Sequence, residues 1–411
     1  MFRNLRYVLF MVILTSLLLS ACQPTEVIKT VEVVKTQVIT QVVQGQTVEK
    51  VITATPAPTK AEPTKAPTLA KGSVQINGSG ATFPLPVYNQ WTFAYQFVDP
   101  AVVINYQGVG SGAGKKAIVE GTVDFAGSDS LVTDAEYAAG KDLQMLPILA
   151  GSVVAIYNHP ELPATPRLIL DGKTLIGIYN AKIMNWDDPA IVALNPGLKD
   201  KLTTLKNKKI TAVHRSDGSG TTEIFTKYLT AVDKNEWKAG AAASIEWPVD
   251  KAGNGVGGKG NPGVAAVVLN TPGSIGYVEL SYAKSNNVPF AQMINAAGKT
   301  VDANDKSTAS AMSDFAGSLS DKLTADLVNG KGEGTWPIVG YTYLVIKMKD
   351  MKDCTKATKL VEFINWALTD PSAAKVAGDL GYSVLPKDVQ TKVLAKLNEV
   401  SCAGKPVVIN K

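Results

Sequence analysis

The sequence predicts an α/β fold in two lobes with a ligand held between them. Three observations carry this. Short apolar strands alternate with stretches of helical spacing. The folding part, about Ser73 to Lys411, is long enough for two domains of roughly 100–200 residues each. Four times a strand opens into small residues, after Ile76, Tyr106, Phe125 and Val213. In open α/β sheets, ligands sit beyond the carboxyl ends of strands, where such loops gather. The expected division puts 73–150 and 336–411 in the first lobe and 151–335 in the second.

The front of the 411-residue chain is not fold. Arg3 and Arg6 precede an apolar run, Tyr7 to Leu19, which ends in Leu19-Ser20-Ala21-Cys22. A basic start, a short apolar core and small residues before a cut make a secretory signal over 1–21. The run is too short for a comfortable transmembrane helix. Leu-Ser-Ala-Cys resembles the bacterial lipobox, in which cleavage leaves the cysteine as a lipid-bearing N-terminus. Cys22 is therefore the expected lipidation site and the contact with the bilayer. Each buried acyl CH₂ contributes about 0.8 kcal/mol, so several chains would hold firmly.

Residues 22–72 then read as a tether. Its Pro/Thr/Lys/Ala-rich end, Thr53 to Lys71, cannot bury a core and is expected to be extended or disordered. The Val/Thr/Gln-rich part before it is ambiguous, because its β-propensity suits strand pairing or self-association.

In the folding part, Val74-Gln75-Ile76 leads into Gly78-Ser79-Gly80-Ala81-Thr82-Phe83. Val87, Trp91, Ala94 and Val98 follow near helical spacing. Val102 to Tyr106 is a second strand, opening into Gly108-Val-Gly-Ser-Gly-Ala-Gly114. A third, Val123 to Phe125, opens into Ala126-Gly-Ser-Asp129. Met145 to Ile156 is a long apolar run broken at Gly151, a candidate crossing between lobes. Lys209 to Val213 is a strand feeding His214-Arg215-Ser216-Asp217-Gly218-Ser219-Gly220-Thr221, after which Ile224, Phe225, Tyr228 and Leu229 recur at helical spacing.

That last turn has the composition of an oxyanion site. A helix N-terminus presents unpaired N–H groups and the positive end of its dipole. Gly218 and Gly220 let backbone approach a ligand, Ser219 and Thr221 add hydroxyls, and Arg215 supplies a planar cation. Taken alone, the same residues also describe an ordinary capped turn with a surface arginine. Asp129 differs from the other loop residues in offering an acceptor, although it also suits the cap of a helix starting near Leu131. Asp217 reads as structural, capping the helix or orienting Arg215. Lys115 and Lys116 read as solvated.

Several function classes fall away. The charge is 41 basic minus 36 acidic residues, less Arg3 and Arg6 in the signal, or +3 for the mature chain. With no dense Lys/Arg block interleaved with aromatics, nucleic acid is not an expected partner. The run at Gly108 fails as a Walker loop: Val109 stands where a glycine is needed, and Lys115 is followed by Lys116. Two histidines, His159 and His214, do not make a metal cluster. A Ser/His site from His214 with Ser216 or Ser219 lacks the spacing of a nucleophile elbow. No cofactor is expected. Cys354 and Cys402 are a candidate disulfide pair, which an exported chain permits.

The motifs Gly78–Pro84 (GSGATFP), Tyr106–Gly112 (YQGVGSG), Asp124–Asp129 (DFAGSD) and Arg215–Thr221 (RSDGSGT) occur in this order. They are accompanied by Asn185–Pro189, Gly257–Asn261 and Gly273–Glu279. Together they resemble the phosphate-binding protein of the bacterial phosphate-specific ABC transporter, the PstS family, over nearly all of Ser73 to Lys411. The resemblance implies a type II periplasmic-binding-protein architecture, two α/β lobes closing on the ligand. It implies a monomeric receptor for inorganic phosphate that serves membrane permease subunits of an ABC transporter, and no enzyme. Carried over residue by residue, Thr82, Phe83 and Ser111 resemble the first-lobe donors, Phe83 through its backbone N–H. Asp129 resembles the single acceptor. Arg215, Ser219, Gly220 and Thr221 resemble the second-lobe set. His214 and Ser216 receive no role. A carboxylate can accept a hydrogen bond from phosphate, which keeps a proton near neutral pH, and repels sulfate, which has none. Such a match rejects the unmatched analogue by about 10⁴–10⁵. A receptor for another oxyanion and a phosphatase-like serine hydrolase are the rival readings.

Overall fold

The computed structural model describes residues 40–43, 46–49, 72–349 and 351–408. The signal, Cys22 and most of the tether lie outside the described residues. Within the Val-rich part, Thr40–Val43 pairs antiparallel with Gln46–Glu49, so this stretch forms a hairpin. Lys65–Lys411 is a compact unit of its own.

One large sheet organises that unit. Its strands are β1 (Val74–Gly80), β2 (Val102–Gly108), β3 (Phe125–Ser128), β4 (Leu143–Asn158), β5 (Thr211–Arg215), β6 (Gly255–Gly258), β7 (Ser274–Glu279) and β8 (Val339–Lys347). Their spatial order is β2-β1-β3-β8-β4-β7-β5-β6. Strands β2, β1 and β3 run parallel, as do β7, β5 and β6. The two trios are joined through the antiparallel pair β8 and β4.

Strand β4 explains the two lobes. Its residues from Leu143 to Ser152 pair with β8, and those from Val153 to Asn158 pair with β7. The long apolar run from Met145 to Ile156 is thus one strand buried along both lobes, not two strands. Gly151 stands where a side chain would collide with the Phe83 ring, 2.6 Å from a built Cβ. A short strand, Ser383–Val384, pairs beside it at Ala150 and Leu149.

The helices that matter here are α1 (Leu85–Val98), α2 (Ser111–Glu120), α3 (Asp134–Gly140), α4 (Gly220–Asp233), α5 (Gly260–Asn270) and α6 (Cys354–Thr369). In α1, Val87, Trp91 and Tyr95 face the core. In α4, Ile224, Phe225, Tyr228 and Leu229 are buried as their spacing predicts, and the Ser219 hydroxyl caps the helix by accepting the Thr222 N–H at 3.0 Å. Helix α3 is capped by a Thr133/Glu136 capping box, which leaves Asp129 free of that task. Cys354, at the start of α6, is bonded to Cys402 near the C-terminus. Among the described residues no helix is long and apolar enough to cross a membrane.

Candidate functional site: a donor-lined cleft at the facing strand ends

Strands β1, β2 and β3 end together, and backbone bonds stitch their loops into one wall. The Gly80 carbonyl accepts the N–H groups of Val109 and Gly110, both at 2.8 Å. The Gly127 carbonyl accepts the Ala81 N–H at 2.8 Å. Gly80 has φ 144° and a built Cβ would lie 2.0 Å from the Gly127 oxygen, so only glycine fits there. Strands β5 and β6 end against this wall. Gly112 donates its N–H to the Gly218 carbonyl at 3.0 Å, which brings loops of the two lobes into direct contact.

The structure gathers Thr82, Phe83, Ser111, Asp129, Arg215, Ser219, Gly220 and Thr221 at this junction, and these eight are buried. The Ser111 hydroxyl oxygen accepts the Asp129 N–H from its own lobe and the Gly220 N–H from the other, each at 3.2 Å. Its proton points to Asp129 Oδ2 at 3.5 Å. Asp129 Oδ1 accepts from the Thr342 hydroxyl at 2.7 Å. Burial pushes the Asp129 carboxyl up to about 7, against the opposing pull of Thr342, Arg215 and Ser111.

Arg215 sits at the end of β5 with its guanidinium almost fully enclosed. Nε and Nη2 clasp Asp217, and Nη1 donates to the Thr221 hydroxyl oxygen at 3.3 Å. Asp217 is thus the partner that orients Arg215, one of its two expected roles. Thr82 Oγ1 is held by Asn261, through the backbone N–H at 3.0 Å and the side-chain amide at 2.9 Å. Phe83 is fully buried, and its carbonyl accepts from the Tyr382 hydroxyl at 2.6 Å. Ser219 keeps its proton while its oxygen caps α4.

Three helices, α2, α4 and α5, begin at this junction. Their N-termini, the hydroxyls and one guanidinium make a set rich in donors and poor in bulk. With Arg215 neutralised by Asp217, the donors facing a ligand are mainly dipoles.

Two residues here received no role from the sequence, although Asn261 closes the Gly257–Asn261 motif. Asn261 follows the strand β6, whose Gly-Val-Gly-Gly composition hides it from any β-pattern. Thr342 lies in mid-strand and reaches Asp129 only through the pairing of β8 with β3. One expectation is corrected. Lys115 is buried rather than solvated: its Nζ donates to the Leu131 carbonyl at 2.8 Å and pairs with Glu136 at 3.1 Å. Lys116 is exposed as expected. His214 has both ring nitrogens engaged, with the Arg215 carbonyl and Asp250, and it stacks on Trp247. It therefore activates neither Ser216 nor Ser219. Among the described residues no group of three His, Cys, Asp or Glu side chains could hold a metal ion.

Two lobes joined through paired strands, with donor loops meeting at their facing strand ends, define a solute-binding protein of the type II periplasmic-binding-protein fold. Comparison with known proteins agrees. Residues 58–371 match the family model of the PBP superfamily domain. The Phosphate-binding protein PstS of Methanocaldococcus jannaschii is 36% identical over 343 residues, covering 80% of this chain and 87% of that one. The protein of the same name from Pasteurella multocida is 38% identical over 324 residues, covering 78% and 89%. The chain belongs to the PstS family of phosphate-binding proteins. Among solved structures, a high affinity periplasmic phosphate-binding protein (PfluDING) bound with phosphate aligns with TM-score 0.61 at 22% identity, over 78% of this chain and 93% of that one. A phosphate ABC transporter substrate-binding protein from Clostridium perfringens aligns with TM-score 0.54 at 18% identity, over 76% and 100%. At these identities the structural matches speak for the fold.

Proposed function

We propose that this protein captures inorganic phosphate between its lobes and delivers it to the permease of an ABC transporter. It is a receptor and not an enzyme. Family membership supports the ligand class. The observation that carries the reading is Asp129: a buried carboxyl ringed by Ser111, Thr342 and the α4 N-terminus with Arg215 nearby. A donor-rich pocket with one acceptor suits an oxyanion that still carries a proton. Thr82, Phe83, Ser111, Arg215, Ser219, Gly220 and Thr221 are its donors, and Asp129 is its acceptor. Among the described residues the Phe83 N–H has no acceptor, which suits it for a ligand.

The lobes in this reading are 73–150 with 336–411, and 151–335. The switch of β4 partners between Ser152 and Val153 supports the first boundary. Closure is a hinge motion across β4 and β8, and phosphate must favour the closed state for capture to be directional. The receptor acts as a monomer outside the cytoplasm, held to the membrane by lipid on Cys22 with 22–72 as tether. Cys22→Ser is expected to move the protein from the membrane fraction to the soluble one.

Calorimetric titration of the purified protein, stripped of ligand, tests the function. Phosphate is expected to bind tightly and sulfate not at all, and Asp129→Asn to lose that discrimination. If phosphate fails to bind at micromolar concentration, the proposed function is wrong.

A further inference from the structure

Asn261 has a geometry that the phosphate site does not by itself require. It is completely buried at the start of α5, in the second lobe. Its Oδ1 accepts the backbone N–H of Glu279 at 2.9 Å. A backbone N–H can only donate, so this bond fixes which end of the amide is oxygen. The Nδ2 end therefore points at two hydroxyls, Thr82 Oγ1 at 2.9 Å in the first lobe and Thr221 Oγ1 at 3.1 Å in the second.

Each of those hydroxyl oxygens is then saturated as an acceptor. Thr82 Oγ1 receives the Asn261 backbone N–H as well as Nδ2. Thr221 Oγ1 receives Arg215 Nη1 as well as Nδ2. A hydroxyl has two lone pairs and one proton. With both lone pairs filled, the only capacity left on either oxygen is to donate. Among the described residues neither hydroxyl gives its proton to any group. Without the Asn261 side-chain amide, each hydroxyl oxygen keeps one filled acceptor position and regains one open lone pair, which it can present to the cleft and an anion repels.

We propose that Asn261 is a positioning residue that turns the Thr82 and Thr221 hydroxyls into obligate donors and bridges the two lobes while doing so. This rests on the phosphate-binding reading above. It adds that the donor character of two ligand contacts is set by a residue that supplies no contact of its own. It also makes the setting conditional on closure, because the Asn261–Thr82 bonds span the lobes and the Asn261–Thr221 bond does not.

The test is Asn261→Asp, which keeps the shape and the Oδ1 acceptor but replaces the donor end by a carboxylate oxygen. Both hydroxyls would then turn their protons onto that new carboxylate and face the cleft with lone pairs. Phosphate affinity, read by calorimetry on the whole protein, is expected to fall by about a hundredfold or more. A general electrostatic penalty would also lower it, so Thr82→Val is measured in both backgrounds. Thr82→Val is expected to cost about tenfold or more in the wild type and almost nothing beside Asn261→Asp, because the donor is already lost. Independent, multiplying losses would overturn the proposal, as would wild-type affinity for Asn261→Asp. If Asn261→Asp does not fold, Asn261→Ser carries the same double-mutant comparison, with the same coupling expected and its absence decisive. Failure of the wild type to bind phosphate would instead overturn the proposed function, so the two failures are distinct.

Discussion

Arg215 and Asp217 meet along two parallel bonds, Nε to Oδ1 at 2.7 Å and Nη2 to Oδ2 at 2.6 Å. The Arg215 side chain is only 1% exposed. Burial alone would raise the Asp217 carboxyl, but the Arg215 bonds and charge, with the Gly260 N–H, outweigh it and hold it below the usual range. The pair fixes the guanidinium before any ligand arrives. Asp217→Ala would leave an enclosed cation with one hydroxyl for company. Denaturant unfolding of the ligand-free variant is expected to show a loss of about 3 kcal/mol. Phosphate affinity should change by less than about tenfold, because a looser Arg215 is offset by removal of an anion from beside the ligand. Unchanged stability would mean that the guanidinium finds another partner.

Asp129 makes selectivity depend on pH. Its carboxyl is raised to about 7, chiefly by burial. Above that pH it is ionised in the free protein, accepts from protonated phosphate and repels sulfate. Below it the group is protonated and donates, so sulfate becomes an acceptable ligand. The affinity ratio of phosphate to sulfate is therefore expected to fall as pH drops from about 9 to about 5. In Asp129→Asn the ratio should be low and flat. A wild-type ratio that stays constant over this range would show that Asp129 is not the discriminating group.

Glu279 contributes a stability slope. It is fully buried at the end of β7, where its Oε2 accepts from the Ser281 N–H at 2.9 Å and lies 2.8 Å from the Tyr382 hydroxyl oxygen. Burial pushes it up from 4.5 to about 8, more than Ser281, Tyr382 and Lys284 pull it down. Between those values the native state holds a proton that the unfolded chain has released. Stability therefore falls as pH rises through that window and levels off above about 8. The limiting slope for one proton is about 1.4 kcal/mol per pH unit. Asp129 adds a slope of the same sign over a lower window, so the comparison of interest is wild type against Glu279→Gln. The variant is expected to gain on the wild type from about pH 5 to about pH 8, read by urea unfolding. Parallel curves would refute the raised carboxyl.

Why some of this was legible in the sequence and some not follows from chain distance. Gly80, Ser111, Ser219, Gly220 and Thr221 lie at a strand end and at helix starts, in stretches whose own composition announces donors and close approach. The helical spacing of Ile224, Phe225, Tyr228 and Leu229 survives intact as the buried face of α4. Gly151 marked a crossing, although the sequence did not reveal that one strand continues through it. The misreadings are all long-range. Lys115 reads as solvated until Leu131 and Glu136 arrive from further along the chain. Thr342 reaches Asp129 through strand register, with Tyr343 opposite Ser128. Asn261 gains its meaning from Thr82, 179 residues away.

Gly220 offers a way to separate closure from folding. It opens α4 in a conformation that alanine also adopts, since its φ lies outside the left-handed range. For α4 itself the change is mild, since alanine is the better helix former. Across the junction the change is not mild. A Cβ on Gly220 would stand 2.4 Å from Asp129 Cβ, 2.5 Å from the Asp129 carbonyl carbon and 2.6 Å from the Ser130 nitrogen. Two of these are backbone atoms of the first lobe, so no flexible side chain can swing aside. Relief requires the lobes to stay apart, which breaks the Gly220–Ser111 bond and withdraws Asp129 from the α4 N-terminus. Gly220→Ala is therefore expected to unfold within a few degrees of the ligand-free wild type while losing about a hundredfold or more in phosphate affinity. Small-angle scattering should show that phosphate compacts the wild type and leaves the variant unchanged. If Gly220→Ala binds and compacts like the wild type, the contact between α4 and the Asp129 loop is not what closure depends on.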